Sequence, residues 1–241
     1  PESVRRIEPL TFHHCDSLRS VTIPQSVVFV GRMAFAGCSS LDSLHIPSSV
    51  TAIGENAFDD TPLYTSLADG VVYINQILYT YKGQMPDSTT IVVKPGTFTI
   101  NAYAFRHCNT LDSIVLPATV HTIGNAAFDG CSKLRSIHLP NAVHTIGNAA
   151  FAGCTALELV TIPQNVKLVG EQAFEQTPWF QNQQTGVIYL GQVLYKYKGE
   201  MPADTTIVVR EGTTSIAPYA FHNQTNLLAI TLPEGIETID R

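Results

Sequence analysis

Residues 111–156 read LDSIVLPATVHTIGNAAFDGCSK followed by LRSIHLPNAVHTIGNAAFAGCTA, two stretches of 23 residues that agree at most positions. The same interval runs through the whole chain. Phe12, Phe35, Phe58, Phe105, Phe128, Phe151, Phe174 and Phe221 are separated by 23, 23, 47, 23, 23, 23 and 47 residues. A unit of that length cannot bury its own apolar face, so equal units must stack until their faces form one continuous core. The period therefore predicts a solenoid.

Aligned on phenylalanine, the units give the consensus LxSIxIPxSVxxIGxxAFxGCxx, with LDSLHIPSSVTAIGENAFDDTP from Leu41 as a further clear copy. Its first, fourth and sixth positions are apolar in the alternation of a short strand, and the proline that follows has no N–H with which to continue a ladder. A second apolar group, such as Val120, Ile123 and Phe128, is expected to turn inward from the opposite wall. Gly31, Gly54, Gly124, Gly147 and Gly170 are read as the points where the chain bends sharply. Stacked coils should lie about 4.8 Å apart with parallel strands and right-handed winding. The fold class expected is an α/β repeat class, mostly β: a right-handed solenoid of 23-residue units with a parallel sheet.

The two intervals of 47 residues, covering units at about 61–107 and 177–223, are related to each other. Their cores read GVVYINQILYTYKGQMPDSTTIVV from Gly70 and GVIYLGQVLYKYKGEMPADTTIVV from Gly186, each two alternating runs about a two-residue turn. Each predicts an inserted β-hairpin, with the two projecting on one side about 19 to 24 Å apart. Tyr73, Tyr79, Tyr81, Tyr189, Tyr195 and Tyr197 are then a candidate contact surface, because tyrosine offers a large amphipathic area with few rotors. Equally, alternate tyrosines serve to cover the edge of a core. Trp179 and Phe180, with counterparts Leu63 and Tyr64, are expected to anchor the hairpin bases.

Between the inward residues of each first strand, two positions point outward. Stacking arranges them as columns: Ser20, Ser43, Thr90, Ser113, Ser136, Leu159, Thr206 and Ala229 in one, Thr22, His45, Val92, Val115, His138, Thr161, Val208 and Thr231 in the other. The strand face of a solenoid is its usual binding surface. Ser20, Ser43, His45, Ser113, Ser136, His138 and Thr161 are the candidate ligand-binding residues there. Short side chains also simply let strands pair closely.

The repeat runs through all 241 residues without a compositional break, so 1–241 is read as one solenoid. The chain opens at Pro1 and closes at Arg241 in mid-repeat, which leads to the expectation that the terminal caps lie outside it. Net charge −6 argues against nucleic acid or an anionic membrane as partner. No transmembrane segment or signal peptide is legible.

Cys15, Cys38, Cys108, Cys131 and Cys154 each follow a repeat phenylalanine by three residues. Five thiols in one register, without a CxxC pair, read as small core residues rather than as disulfides or a zinc site. His121 and His144 lie one repeat apart and lack a third ligand, and His13–His14 is equally thin, so neither a metal nor a cofactor is expected. No GxSxG, HExxH or phosphate-binding loop occurs, and acidic pairs such as Asp59–Asp60 sit at turns. An enzyme is not expected.

The run IPxSVxxIGxxAFxGCxxL resembles the BspA-like, or Treponema pallidum-type, leucine-rich repeats of bacterial surface proteins. The likeness covers essentially the whole chain. Thr61, Thr177 and Gln224 depart from the cysteine, and Asn101 and Ala217 from the glycine. The resemblance implies a leucine-rich-repeat solenoid that is secreted or carried on the bacterial surface, often through a lipid anchor, and that adheres to host or other extracellular proteins. A carbohydrate-binding surface protein using the hairpin tyrosines and a structural spacer are the alternatives.

Overall fold

The computed structural model describes residues 3–240. Pro1 and Arg241, on which the reading of an interrupted repeat rests, lie outside them. The chain winds through about 10 turns, almost entirely of short strands. Two walls enclose the core. The first wall holds Ser20–Thr22, Ser43–His45, Thr89–Val92, Leu111–Val115, Ser136–His138, Leu159–Thr161, Thr205–Val208 and Leu227–Thr231. The second is a succession of two-residue strands, among them Phe29–Val30, Ala52–Ile53, Thr99–Ile100, Thr122–Ile123 and Thr145–Ile146, paired in parallel at equivalent repeat positions.

The phenylalanines occupy the centre. Phe35, Phe58, Phe105, Phe128, Phe151 and Phe174 are fully buried, and neighbouring rings stack nearly parallel at centroid distances of 4.9 to 5.9 Å. That spacing matches one step between paired strands. Each ring is held in register by its backbone, since the N–H of Phe105 donates to Ala127 O at 2.8 Å and that of Phe128 to Ala150 O at 2.8 Å.

The glycine column has a different cause from the one expected. None of Gly31, Gly54, Gly124, Gly147 and Gly170 has a positive φ. A Cβ at these positions would lie 2.2 to 2.5 Å from atoms of the preceding coil, so the residue is small because two backbones pass in close contact. The left-handed turn falls two residues later, at Met33, Asn56, Ala126, Ala149 and Gln172. The glycine that does need its conformational freedom is the second one, at Gly37, Gly130 and Gly153, with φ of 67 to 76°. Asn101 and Ala217 replace the first glycine only where the preceding coil is a hairpin.

Both hairpins are present. Gly70–Ile74 pairs antiparallel with Ile77–Lys82, and Gly186–Leu190 with Val193–Lys198. They are coils of the solenoid rather than additions to it, which corrects the expectation of two projecting inserts. Ile77 and Leu78 pair in parallel with Thr99 and Ile100, and Val193 and Leu194 with Ser215 and Ile216, as second-wall strands do. Tyr81 N–H donates to Ala104 O at 2.8 Å and Tyr197 N–H to Ala220 O at 2.8 Å, the bond that phenylalanine makes elsewhere. Each interval of 47 residues is thus one coil of 23 and one of 24 with tyrosine in the phenylalanine register.

What distinguishes these coils is the turn. Two residues, Asn75-Gln76 or Gly191-Gln192, replace the longer IPxSVxx link, so the coil's two strands meet and bond to each other. The first strand of the hairpin keeps to the first-wall side. Asn75 Nδ2 donates to Ile46 O and Pro47 O at 3.3 and 3.0 Å, and Lys94 N–H donates to the Tyr73 hydroxyl at 3.0 Å. Entry into each hairpin coil is set by Thr61 and Thr177 at the cysteine position. Their hydroxyls donate to the carbonyls of Phe58 and Phe174 and accept the N–H of Tyr64 and Phe180, capping the single turns Pro62–Thr65 and Pro178–Gln181. Those turns seat Trp179 at 5.1 Å from Phe174 and Phe180 at 5.9 Å from Tyr195.

One consequence is testable directly. Phe174 N–H finds no alanine carbonyl in the hairpin coil, and the buried Tyr195 hydroxyl accepts it instead at 3.2 Å. Tyr195→Phe leaves that donor unpaired and lowers stability by about 1 to 3 kcal/mol. Urea unfolding of the two proteins measures it, and an unchanged midpoint would show that the hydroxyl does not carry the bond.

Candidate functional site

The first-wall strands alternate because their inward leucine and isoleucine join the core while the residues between them face out. The registers place the outward residues side by side: Ser20 with Ser43, Thr22 with His45, Thr90 with Ser113, Ser136 with Leu159, and His138 with Thr161. Ser20, Ser43, His45, Ser136, His138 and Thr161 are exposed and Ser113 is half-buried. Ser113 Oγ donates to Thr90 Oγ1 at 2.9 Å, the kind of cross-strand pair that fixes sheet register.

The columns are not continuous, which corrects the unbroken face expected. The first wall pairs as four two-stranded pieces, Ser20–Thr22 with Ser43–His45, Thr89–Val92 with Leu111–Val115, Ser136–His138 with Leu159–Thr161, and Thr205–Val208 with Leu227–Thr231. Two of the three breaks fall at the hairpin coils, where the first strand spends its hydrogen bonds on its own partner. Ser20, Ser43 and His45 are thereby set apart from Ser113, Ser136, His138 and Thr161. At the first break a notch of about 250 Å³ opens, lined by Leu44, His45, Ile46, Leu63, Tyr73 and Ile74 among others.

The face is also more apolar than its serines and threonines suggest. Val92, Leu159 and Val208 are 72, 69 and 73% exposed, and Val115 is exposed beside Val92. The outward columns already contained these valines and this leucine. Their significance depends on exposure, which periodicity alone does not give.

The hairpin tyrosines are committed to the fold. Tyr79, Tyr195 and Tyr197 are buried, which corrects their assignment to a contact surface, and Tyr73, Tyr81 and Tyr189 are half-buried. Tyr73 and Tyr189 accept the N–H of Lys94 and Arg210, the two residues standing where regular coils have proline. Arg210 also lies over the Tyr189 ring at 4.4 Å. Burial pushes the Tyr79 and Tyr195 hydroxyls well above the usual tyrosine range, as expected of groups sealed from water.

All five cysteines are free, and Cys38, Cys131 and Cys154 are buried. Their thiols donate to the carbonyls of Phe12, Phe105 and Phe128 in the preceding coil, at 2.9 to 3.2 Å. The column therefore ties coil to coil. Hydrogen bonding with the Cys154 thiol, then burial, raises Cys131, and burial alone pushes Cys108 up to about 11, so these thiols stay protonated and unreactive at neutral pH. His121 and His144 do meet, with ring centroids 5.6 Å apart, and His121 Nδ1 lies 2.6 Å from Thr119 O. Among the described residues no group of three or more histidine, cysteine or carboxylate side chains is placed to hold a metal. No helix among them is long and apolar enough to cross a membrane.

The chain is similar to several bacterial proteins of known structure. A leucine-rich repeat protein from Bacteroides ovatus is 24% identical over 99% of this chain and 67% of its own, with a TM-score of 0.45. The leucine-rich repeat protein of T. pallidum is 29% identical over 69% of this chain and 67% of its own, with a TM-score of 0.31. A leucine rich cell surface protein from Faecalibacterium prausnitzii is 25% identical over 98% of this chain, with a TM-score of 0.36; the alignment spans 61% of that protein. No curated protein matches. A family model described as a BspA type leucine rich repeat region, in 6 copies, matches residues 1–81, 79–197 and 195–241. With the repeat, the walls and the match running together along the chain, it belongs to the BspA-type leucine-rich repeat family.

Proposed function

We propose that this chain is a non-enzymatic recognition module displayed outside a bacterial cell, which binds an extracellular or host protein through its first-wall strand face. The observation that carries this reading is the exposure of aliphatic side chains on that face. Val92, Val115, Leu159 and Val208 stand exposed among short polar residues and close to no charge of the same column. Val92 and Val115 lie side by side across paired strands, and apolar groups clustered at a surface favour the docking of a partner. Ser113, Ser136, His138 and Thr161 supply hydrogen bonds at the centre of the face, and His45 stands at the lip of the notch. The surface location is supported by the family and by the cell-surface relative.

The test is a screen of the purified chain against immobilised extracellular-matrix proteins and a glycan array, beside the double variant Val115→Glu, Ser136→Arg. Both substitutions are on exposed side chains, so stability is expected to change by no more than about 0.5 kcal/mol for each. Protein binding should fall at least tenfold in the variant. A protein ligand bound equally well by both chains would move recognition off this face, and a response confined to glycans would overturn the reading.

A further inference from the structure

The two hairpin coils are internal copies at an offset of 116 residues, and they differ at their seam with the neighbouring coils. At the second seam Glu175 is neutralised by Lys196, whose ammonium reaches its carboxylate. At the first seam the equivalent pair is Asp59 and Thr80. The carboxylate is kept and the lysine is gone. A cavity of about 270 Å³ occupies the place, lined by Asp59, Thr80, Glu55, Tyr64, Asn101 and Arg106 among others.

This cavity differs from its copy in holding a carboxylate without a cationic partner. Glu55 is paired with Arg32 and Arg106, both at 3.5 Å, and Arg106 is further drawn to Asp129 at 3.3 Å, whereas no ion pair among the described residues includes Asp59. Burial, then Asp60 and Glu55, raises Asp59 above the usual carboxylate range, as an unneutralised acid there should be.

We infer that the first hairpin seam is a binding site for a small primary ammonium, the group shared by a free amino acid and the N-terminal residue of a peptide. The ammonium takes the place that Lys196 fills in the second coil and pairs with Asp59. Tyr64 flanks the cavity. The volume is just under the range of sites for drug-sized ligands and suits a single residue. This site is separate from the strand face, so it stands or falls independently of the docking reading above.

Isothermal titration of the full chain with glycine, glycinamide and N-acetylglycinamide tests it. Glycine or glycinamide should bind, and acetylation of the amine should weaken binding at least tenfold. Thr80→Lys, which gives the first seam the lysine of the second, should abolish binding by at least tenfold without lowering the thermal midpoint of the unliganded protein. Asp59→Asn should do the same to binding and serves if the lysine variant folds poorly. Tighter binding of alanyl-alanine than of alanine would identify a peptide N-terminus as the occupant, and the reverse order a free amino acid. Absence of binding by every free amine, equal binding by the acetylated probe, or binding unaffected by either substitution would overturn the assignment.

Discussion

Phe128→Ala lowers the stability of the chain by about 3 to 5 kcal/mol, the cost of removing a large buried ring and leaving its space only partly filled. Phe128 is completely buried, with the rings of Phe105 and Phe151 at 5.4 and 5.2 Å on its two sides. The substitution therefore strips contact from three coils at once. In a solenoid each repeat is held by its neighbours, so a defect in the middle weakens two interfaces. Phe12→Ala provides the comparison, because that ring is half-buried and has only Phe35, at 5.1 Å, beside it in the stack. It should cost distinctly less. Equilibrium urea unfolding followed by circular dichroism measures both, and a loss below roughly 1 kcal/mol at Phe128, the scale of surface changes, contradicts the core assignment.

Gly147→Ala is expected to cost about 3 kcal/mol, at the upper end of what overpacking usually costs, for the addition of one methyl group. Its Cβ would lie 2.5 Å from Asn125 N and 2.6 Å from Gly124 C, and backbone atoms cannot turn aside as a side chain can. The coil must shift, and with it the bond from Asn148 N–H to Asn125 Oδ1 at 2.9 Å. Gly235→Ala is the control, since its Cβ would have no neighbour nearer than 3.8 Å and its φ is not positive. That change should be within about 0.5 kcal/mol of neutral. Equal thermal midpoints for Gly147→Ala and Gly235→Ala would show that the close passage of coils does not set the glycine column.

The candidate surfaces were legible to different depths. The outward strand residues could be assigned from period 2 alone, and Ser20, Ser43, His45, Ser136, His138 and Thr161 are indeed exposed. Which of them share a surface could not, because strand pairing is broken by a hairpin whose effect depends on where its hydrogen bonds go. The tyrosines illustrate the same limit. An alternating aromatic run looks the same in sequence whether it faces solvent or the core. Only the register, with Tyr81 and Tyr197 in the phenylalanine position and Tyr195 beneath Phe174, shows that Tyr195 and Tyr197 are interior and Tyr81 half-buried. Thr80 and Lys196 carry a signal that the internal alignment contains, yet its meaning emerges only when Lys196 is seen against Glu175 and Asp59 without a partner.

By itself, the sequence determined the repeat, the stacking of its phenylalanines, the two-walled coil and the family. These are local and periodic properties: each coil repeats one pattern of apolar residues, and burying that pattern admits essentially one arrangement. Tertiary structure alone decided the cause of the glycine column, the identity of the hairpins as coils, the division of the strand face and the unfilled seam beside Asp59. Each of these depends on the distance between atoms of different coils. Those distances follow from how one coil's backbone seats on the next, and no single repeat encodes them.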